Sequence, residues 1–259
     1  MPDTENSLID INGDLLYIQH IYNFENRPTI VFLHDSLGSV KLWRDFPAEL
    51  AEATNCNVLM YDRLGYGKSA PMLTSKRDND YLKLQADVLY ALLNKLGLND
   101  VILFGHSDGA SIVLLTAAKY PDGVRAVISE AGHLFVEEVT LNGIREAMTA
   151  YETTDLKVRL EKYHGDKVET LFKAWTETWT SPEFKTWNIE NFLPRITCPT
   201  LVIQGENDEY GTLLQVEKTI SQVNGSAQKC IIPNAGHTPH KEAKEETLAY
   251  AATFINSLL

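Results

Sequence analysis

Residues 101–119 read VILFGHSDGASIVLLTAAK. Val101, Ile102, Leu103 and Phe104 form a continuous apolar run, the pattern of a strand buried on both faces. The run passes directly into Gly105-His106-Ser107-Asp108-Gly109, and a helical pattern opens at Asp108. Strand, G-x-S-x-G, helix is the context of a tight turn that holds the serine in a strained backbone conformation. Side chains at the flanking positions would clash, and both are glycine. Ser107 Oγ is then presented above the sheet at a helix N-terminus, where a nucleophile would sit.

Working outward, β-rich runs alternate with helical patterns. Residues 15–22, 29–33, 57–61, 101–104, 124–129, 200–204 and 228–232 read as strands, and 41–53, 81–96, 108–119, 213–223 and 241–258 as helices. In the second helix Leu84, Val88, Leu92 and Leu96 stand four apart, which predicts a shared face. Repeated strand–helix–strand implies an α/β class with a doubly wound, mostly parallel sheet. The alternation breaks between Leu134 and Arg195, a charged stretch with no convincing strand that carries Trp175, Trp179 and Trp187. The expected organisation is a core of residues 1–133 and 197–259 with a helical insertion at 134–196.

Twenty-three Lys and Arg against 35 Asp and Glu give a net charge of −12 over 259 residues. Such a chain repels polyanions, so nucleic acid and anionic membranes are poor partners. The longest apolar stretch, residues 110–118, is too short to span a bilayer. Cys56, Cys198 and Cys230 are odd in number and far apart, and read as free thiols in a reducing compartment. Residues 1–10 are acidic and lack the basic and apolar regions of a signal peptide. The expected location is the cytoplasm.

A serine nucleophile needs a base, and the base needs an orienting carboxylate. Gly205-Glu206-Asn207-Asp208 follows the strand at 200–204, and Asn234-Ala235-Gly236-His237 follows the last strand. Ser107, Asp208 and His237 therefore each lie beyond the C-terminal end of a strand, the edge where open α/β sheets bind ligands. Glu206, Glu209 and Glu130 compete with Asp208, and His240 competes with His237 but reads as structural. An acyl-enzyme route also needs two oxyanion donors. The backbone N–H groups of Asp108 and of Ser36, in His34-Asp35-Ser36-Leu37-Gly38, are the candidates.

Together with Asp62-Arg63-Leu64-Gly65-Tyr66-Gly67-Lys68-Ser69, these motifs make the chain resemble the α/β-hydrolase superfamily over nearly its whole length. The Ser-Asp-Gly elbow, Ala117-Ala118-Lys119-Tyr120-Pro121 and Leu193-Pro194-Arg195-Ile196-x-Cys198-Pro199 are similar to the valacyclovir-hydrolase (biphenyl-hydrolase-like) group. That resemblance implies cleavage of amino-acid esters, with Asp108 binding the substrate's ammonium. Asp108 reads equally as an acidic residue favoured by the helix dipole. Asp35 departs from the superfamily, which usually has glycine there; its side chain would crowd the loop or put a carboxylate near the site. Trp175 and Trp179 would share a helical face. They would line a substrate pocket or form the insertion's own core.

Gly67-Lys68-Ser69 mimics a phosphate loop, but Asp62 stands where the first glycine belongs and Pro71 where the helix should start. The histidines show no zinc-ligand spacing, and no metal or other cofactor is expected. The expectation is a serine hydrolase acting on a small carboxylic ester, with oligomeric state left open. Carbon–carbon bond hydrolysis of a vinylogous diketone and a slow-turnover receptor on the same fold are the alternatives.

Overall fold

The computed structural model describes residues 3–22 and 24–259; Met1, Pro2 and Asn23, part of the expected core segment, lie outside the described residues. Eight strands form one sheet: β1 (Asp3–Ile11), β2 (Asp14–Tyr22), β3 (Thr29–Leu33), β4 (Asn57–Tyr61), β5 (Val101–His106), β6 (Val124–Glu130), β7 (Thr200–Gly205) and β8 (Ala227–Ile232). Their order is β1-β2-β4-β3-β5-β6-β7-β8. β1 and β2 pair antiparallel, β2 pairs antiparallel with β4, and every later pairing is parallel. β1, a mostly exposed edge strand of sequence DTENSLIDI, was not among the expected strands.

Alternation along the strands builds two cores. Ile30, Phe32, Ile102 and Phe104 face α1 (Phe46–Thr54) and α9 (Lys244–Asn256), while Val31, Leu33 and Leu103 face α2 (Tyr81–Leu96) and α3 (Asp108–Lys119). In α2 the buried face is Tyr81, Leu82, Ala86, Leu89, Leu92 and Leu93, and Leu84 is 52% exposed. Of the 84/88/92/96 row, Leu92 is fully buried and Val88 and Leu96 are half-buried against the same core, and Leu84 alone turns out to solvent. A spacing of four overshoots the 3.6-residue turn, so the row drifts across the helix and its first member leaves the core face.

The chain moves outward from β3 to β4, then crosses back over β3 to β5. The crevice between β3 and β5 is therefore the switch point at which ligands bind in open α/β sheets. The Ser36 loop follows β3 and the Ser107 turn follows β5.

Between β6 and β7 stand α4 (Glu138–Thr153), α5 (Leu156–His164) and α6 (Val168–Trp179). His164 and Lys167 are among the side chains that tie this segment to the core. His164 Nε2 donates to Leu37 O at 3.0 Å and its Nδ1 accepts from Gly67 N at 3.0 Å. Lys167 Nζ donates to the carbonyls of Tyr66, Gly67 and Ser69 at 3.3, 2.6 and 2.7 Å. After β7 come α7 (Leu213–Gln222) and, past β8, the short α8 (Pro239–Glu242). No helix among the described residues is long and apolar enough to cross a membrane.

Candidate active site

Ser107 connects β5 to α3 with φ 55° and ψ −120°. A non-glycine residue at positive φ is strained, and such strain concentrates at functional turns. A methyl group on Gly105 would overlap the backbone of Gly109 and Ala110, and one on Gly109 would overlap that of Leu33. The turn therefore admits only glycine at those positions.

His237 lies in the loop between β8 and α8, and its Nε2 is 3.0 Å from Ser107 Oγ. Its Nδ1 is 2.9 Å from Asp208 Oδ1. Asp208 Oδ1 also accepts from the amides of Tyr210 at 2.8 Å and Gly211 at 3.2 Å. Burial alone would raise the Asp208 pKa, but His237 and the Tyr210 amide outweigh it and hold the carboxyl below its ordinary value. An ionised carboxylate only accepts, so His237 Nδ1 carries the proton and Nε2 turns its lone pair to Ser107. Ser107, His237 and Asp208 form one hydrogen-bonded chain.

The competing residues are otherwise engaged. Glu130 and His240 pair with each other: Glu130 Oε2 is 2.8 Å from His240 Nδ1, and Oε1 accepts the His240 amide at 2.7 Å. Glu206 accepts from the Asn234 amide. Glu209 accepts from the His237 amide at 3.1 Å, and His106 Nε2 donates to the His237 carbonyl at 2.8 Å. The base is thus gripped through its backbone on both sides. Ligand atoms of His106, Glu130 and His240 lie within 4.8 Å of one another. The contacts to the His237 carbonyl and within the Glu130–His240 pair already use a donor or acceptor of each.

Ser36 and Asp108 flank Ser107 in a cavity of about 180 Å³. Among the described residues neither backbone N–H is donated to a protein acceptor, whereas the Ser107 amide donates to Glu130 O. Asp35 closes its own loop, because Oδ2 accepts from the Leu37 amide at 3.4 Å and Oδ1 lies 3.7 Å from His106 Nδ1. Burial opposes its charge, yet His106 beside it holds the carboxyl well below the ordinary range. His34 Nδ1 lies against Asp35 O and its Nε2 accepts the Arg63 amide, so it ties this loop to the one after β4.

Asp108 is 1% exposed. Its Oδ2 is 3.4 Å from Arg63 Nη1, and both its oxygens face the Tyr81 hydroxyl at 3.2 Å. The same hydroxyl accepts from Trp179 Nε1 at 2.8 Å. A buried chain from Trp179 through Tyr81 and Asp108 to Arg63 thus links α6 to the nucleophile turn. Trp175 and Trp179 do share the inner face of α6, both are buried, and both line the cavity with Leu37, Ile144 and Tyr210. His164, Lys167 and the Arg63–Tyr81 partners of Asp108 had no local signal, since each contact joins residues distant in sequence. The carboxylates lining the cavity are Asp35, Asp108 and Glu209, and no Lys or Arg among the described residues lines it.

Residues 28–172 match the family model described as alpha/beta hydrolase fold. The chain is 27% identical over 260 residues to serine hydrolase BPHL of Homo sapiens, covering 95% of this chain and 85% of that one. It is 25% identical over 290 residues to proline iminopeptidase of Heyndrickxia coagulans, covering 96% and 98%. It is 23% identical over 235 residues to a 2-hydroxy-6-oxononadienedioate/2-hydroxy-6-oxononatrienedioate hydrolase of Pseudomonas sp, covering 78% and 77%. Among solved structures, the α/β hydrolase MGS-M2 from a deep-sea metagenome library superposes with TM-score 0.79 at 21% identity, covering 96% of each chain. The chain belongs to the alpha/beta-hydrolase family.

Proposed function

We propose that the protein is a serine hydrolase that cleaves a small carboxylic ester through an acyl-enzyme. The observation that carries this reading is the Ser107–His237–Asp208 hydrogen-bonded chain at 3.0 and 2.9 Å. Ser107 Oγ attacks the ester carbonyl carbon and its proton passes to His237 Nε2. The backbone N–H groups of Ser36 and Asp108 hold the oxyanion, with the positive end of α3 beneath it. Collapse breaks the ester C–O bond, and His237 returns the proton to the leaving alcohol. A water molecule then gives its proton to His237 and attacks the acyl carbon. Collapse frees the acid, and Ser107 Oγ regains its proton. Asp208 stays ionised and stabilises the imidazolium.

Residues 134–196 act as a cap over a core formed by 1–133 and 197–259, with Trp175 and Trp179 as apolar wall for the substrate. Three carboxylates on the cavity wall with no Lys or Arg favour a cationic ester, such as an aminoacyl ester. Asp108 is largely offset by Arg63 at 3.4 Å, so Asp35 and Glu209 carry most of this bias. The same balance disfavours a dicarboxylate of the kind named for the Pseudomonas relative. The three cysteines are free, which suits the reducing cytoplasm.

The test is hydrolysis of a p-nitrophenyl ester series, acetate to octanoate plus aminoacyl esters, by wild type and Ser107→Ala. The expected result is turnover that the variant loses and a preference for aminoacyl esters. Wild-type rates no higher than those of Ser107→Ala on every ester would overturn the reading. Aminoacyl amides cleaved in preference to the matching esters would redirect it to a peptidase.

A further inference from the structure

A second cavity, of about 300 Å³, lies beyond the Tyr81 side of the catalytic one. Arg63 and Arg77 both line it. Both guanidiniums sit at the Tyr66 ring, 4.7 and 6.0 Å from its centroid, and Arg77 also lies 4.9 Å from that of Tyr81. Two like charges are therefore gathered in one place, and Arg63 is 1% exposed. Their counter-charge is incomplete. Arg63 has Asp108 at 3.4 Å, while Arg77 makes no ion pair among the described residues. Arg77 Nη2 donates only to Tyr66 Oη at 3.1 Å and Met72 Sδ at 3.5 Å. Arg63 Nε and Arg77 Nη1 are buried without a partner among the described residues. Unpaired buried guanidinium donors are costly, and an anion accepting from both forks would remove the cost.

The walls narrow the choice of anion. Leu64, Met72, Leu73 and Leu84 line the same cavity, Leu73 being 99% exposed and Leu84 52%. An apolar rim over a cationic floor fits an amphiphile. Asp14 and Lys76 also line the cavity and offset each other, and Asp108 stands behind Arg63, so about one positive charge is left over and a singly charged head is favoured over a doubly charged phosphate. We propose that this cavity binds a short- to medium-chain carboxylate, its head between Arg63 and Arg77 and its tail along Met72, Leu73 and Leu84. Arg63 Nη2 also donates to Asp35 O at 2.7 Å. The bound carboxylate therefore bears on both strands of the oxyanion site, through Asp108 and through the Asp35–Ser36 loop.

The experiment is thermal unfolding and calorimetric titration with octanoate, 1-octanol and inorganic phosphate. The proteins are wild type, Arg77→Leu, Arg77→Lys and Trp175→Ala. Octanoate should bind and raise the melting temperature of wild type and of Trp175→Ala. Arg77→Leu should weaken binding by about tenfold or more, the size of a lost charge-assisted pair, and Arg77→Lys by less. Octanol and phosphate should bind far more weakly. Binding retained in Arg77→Leu but lost in Trp175→Ala would put octanoate in the catalytic cavity and overturn the proposal. Phosphate equal to octanoate, or no octanoate binding, would overturn it as well. None of these readouts uses turnover, so failure of the esterase reading leaves the test intact.

Discussion

Asp108→Asn tests the role that the structure gives Asp108, counter-ion of buried Arg63, against the two left open by its sequence, a charge for the substrate and an acidic residue favoured by the helix dipole. The carboxylate and Arg63 are each about 1% exposed in residue terms and lie 3.4 Å apart. Removing one charge of a buried pair typically costs about 3–5 kcal/mol, because the survivor is left uncompensated. Asparagine keeps an oxygen for the Tyr81 hydroxyl, so the lower end, about 3 kcal/mol, applies. Unfolding entropy scales with length, and for 259 residues each kcal/mol moves Tm by about 2 °C. The expected fall is about 6 °C. Adding Arg63→Met should recover part of it, since the orphaned cation goes too. Recovery stays incomplete because Arg63 Nη2 also serves Asp35 O at 2.7 Å. The assay is a double-mutant cycle by thermal unfolding, run beside kcat/KM for aminoacyl and matched neutral esters. An unchanged Tm in Asp108→Asn, no coupling to Arg63→Met and a collapsed aminoacyl preference would refute the counter-ion argument.

Asp208→Asn should lower kcat by about 10³–10⁴-fold with KM little changed, because the amide no longer fixes the His237 tautomer; steady-state kinetics will read this. His133 and His20 are held down to a pKa of about 4 by burial, against 6.5 when exposed. Below pH 6.5 the unfolded chain binds protons that the folded one refuses, so the histidine contribution to stability should fall from about pH 6.5 to about 4 and level off below. Asp208, with its folded pKa lowered, adds stability at higher pH that is lost only as the pH falls through that lowered value. Chemical denaturation across this range, with His133→Gln reducing the slope, is the check. Lys167→Met frees three carbonyls of the 66–69 loop and should speed hydrogen exchange there and in α5 and α6 before it affects the sheet. Trp179→Phe deletes the donor to Tyr81 Oη and should cost about 1 kcal/mol in urea unfolding.

The parts legible in the sequence were those with local causes. A buried parallel strand is a continuous apolar run, so β3 to β7 could be read directly, with β8 following from its apolar end at Cys230 to Ile232, and the elbow announces itself by two glycines around Ser107. Asp208 and His237 follow from strand ends, because the sheet collects those ends at one edge. β1 escaped because it is an edge strand, mostly exposed, with only Ile9 and Ile11 at its end packed on the core. In α2 the spacing of four finds Leu92 and the flanks of the core face but puts Leu84 in solvent, because spacing alone does not set a helix's rotation against the sheet. Glu130 looked like a rival carboxylate until the fold brought His240 to it, 110 residues away in sequence. The role of Asp35 needed the loop itself: its carboxylate closes the turn that carries Ser36 instead of crowding it.

The proposed mechanism requires a covalent acyl group on Ser107. Rapid mixing with p-nitrophenyl butyrate, an acid quench and peptide mass spectrometry tests it most directly. The mechanism predicts a transient butyryl mass on the peptide containing Ser107, formed with the p-nitrophenol burst and absent in Ser107→Ala. Steady turnover with no adduct on that peptide at any quench time, or an adduct on another residue, would contradict it.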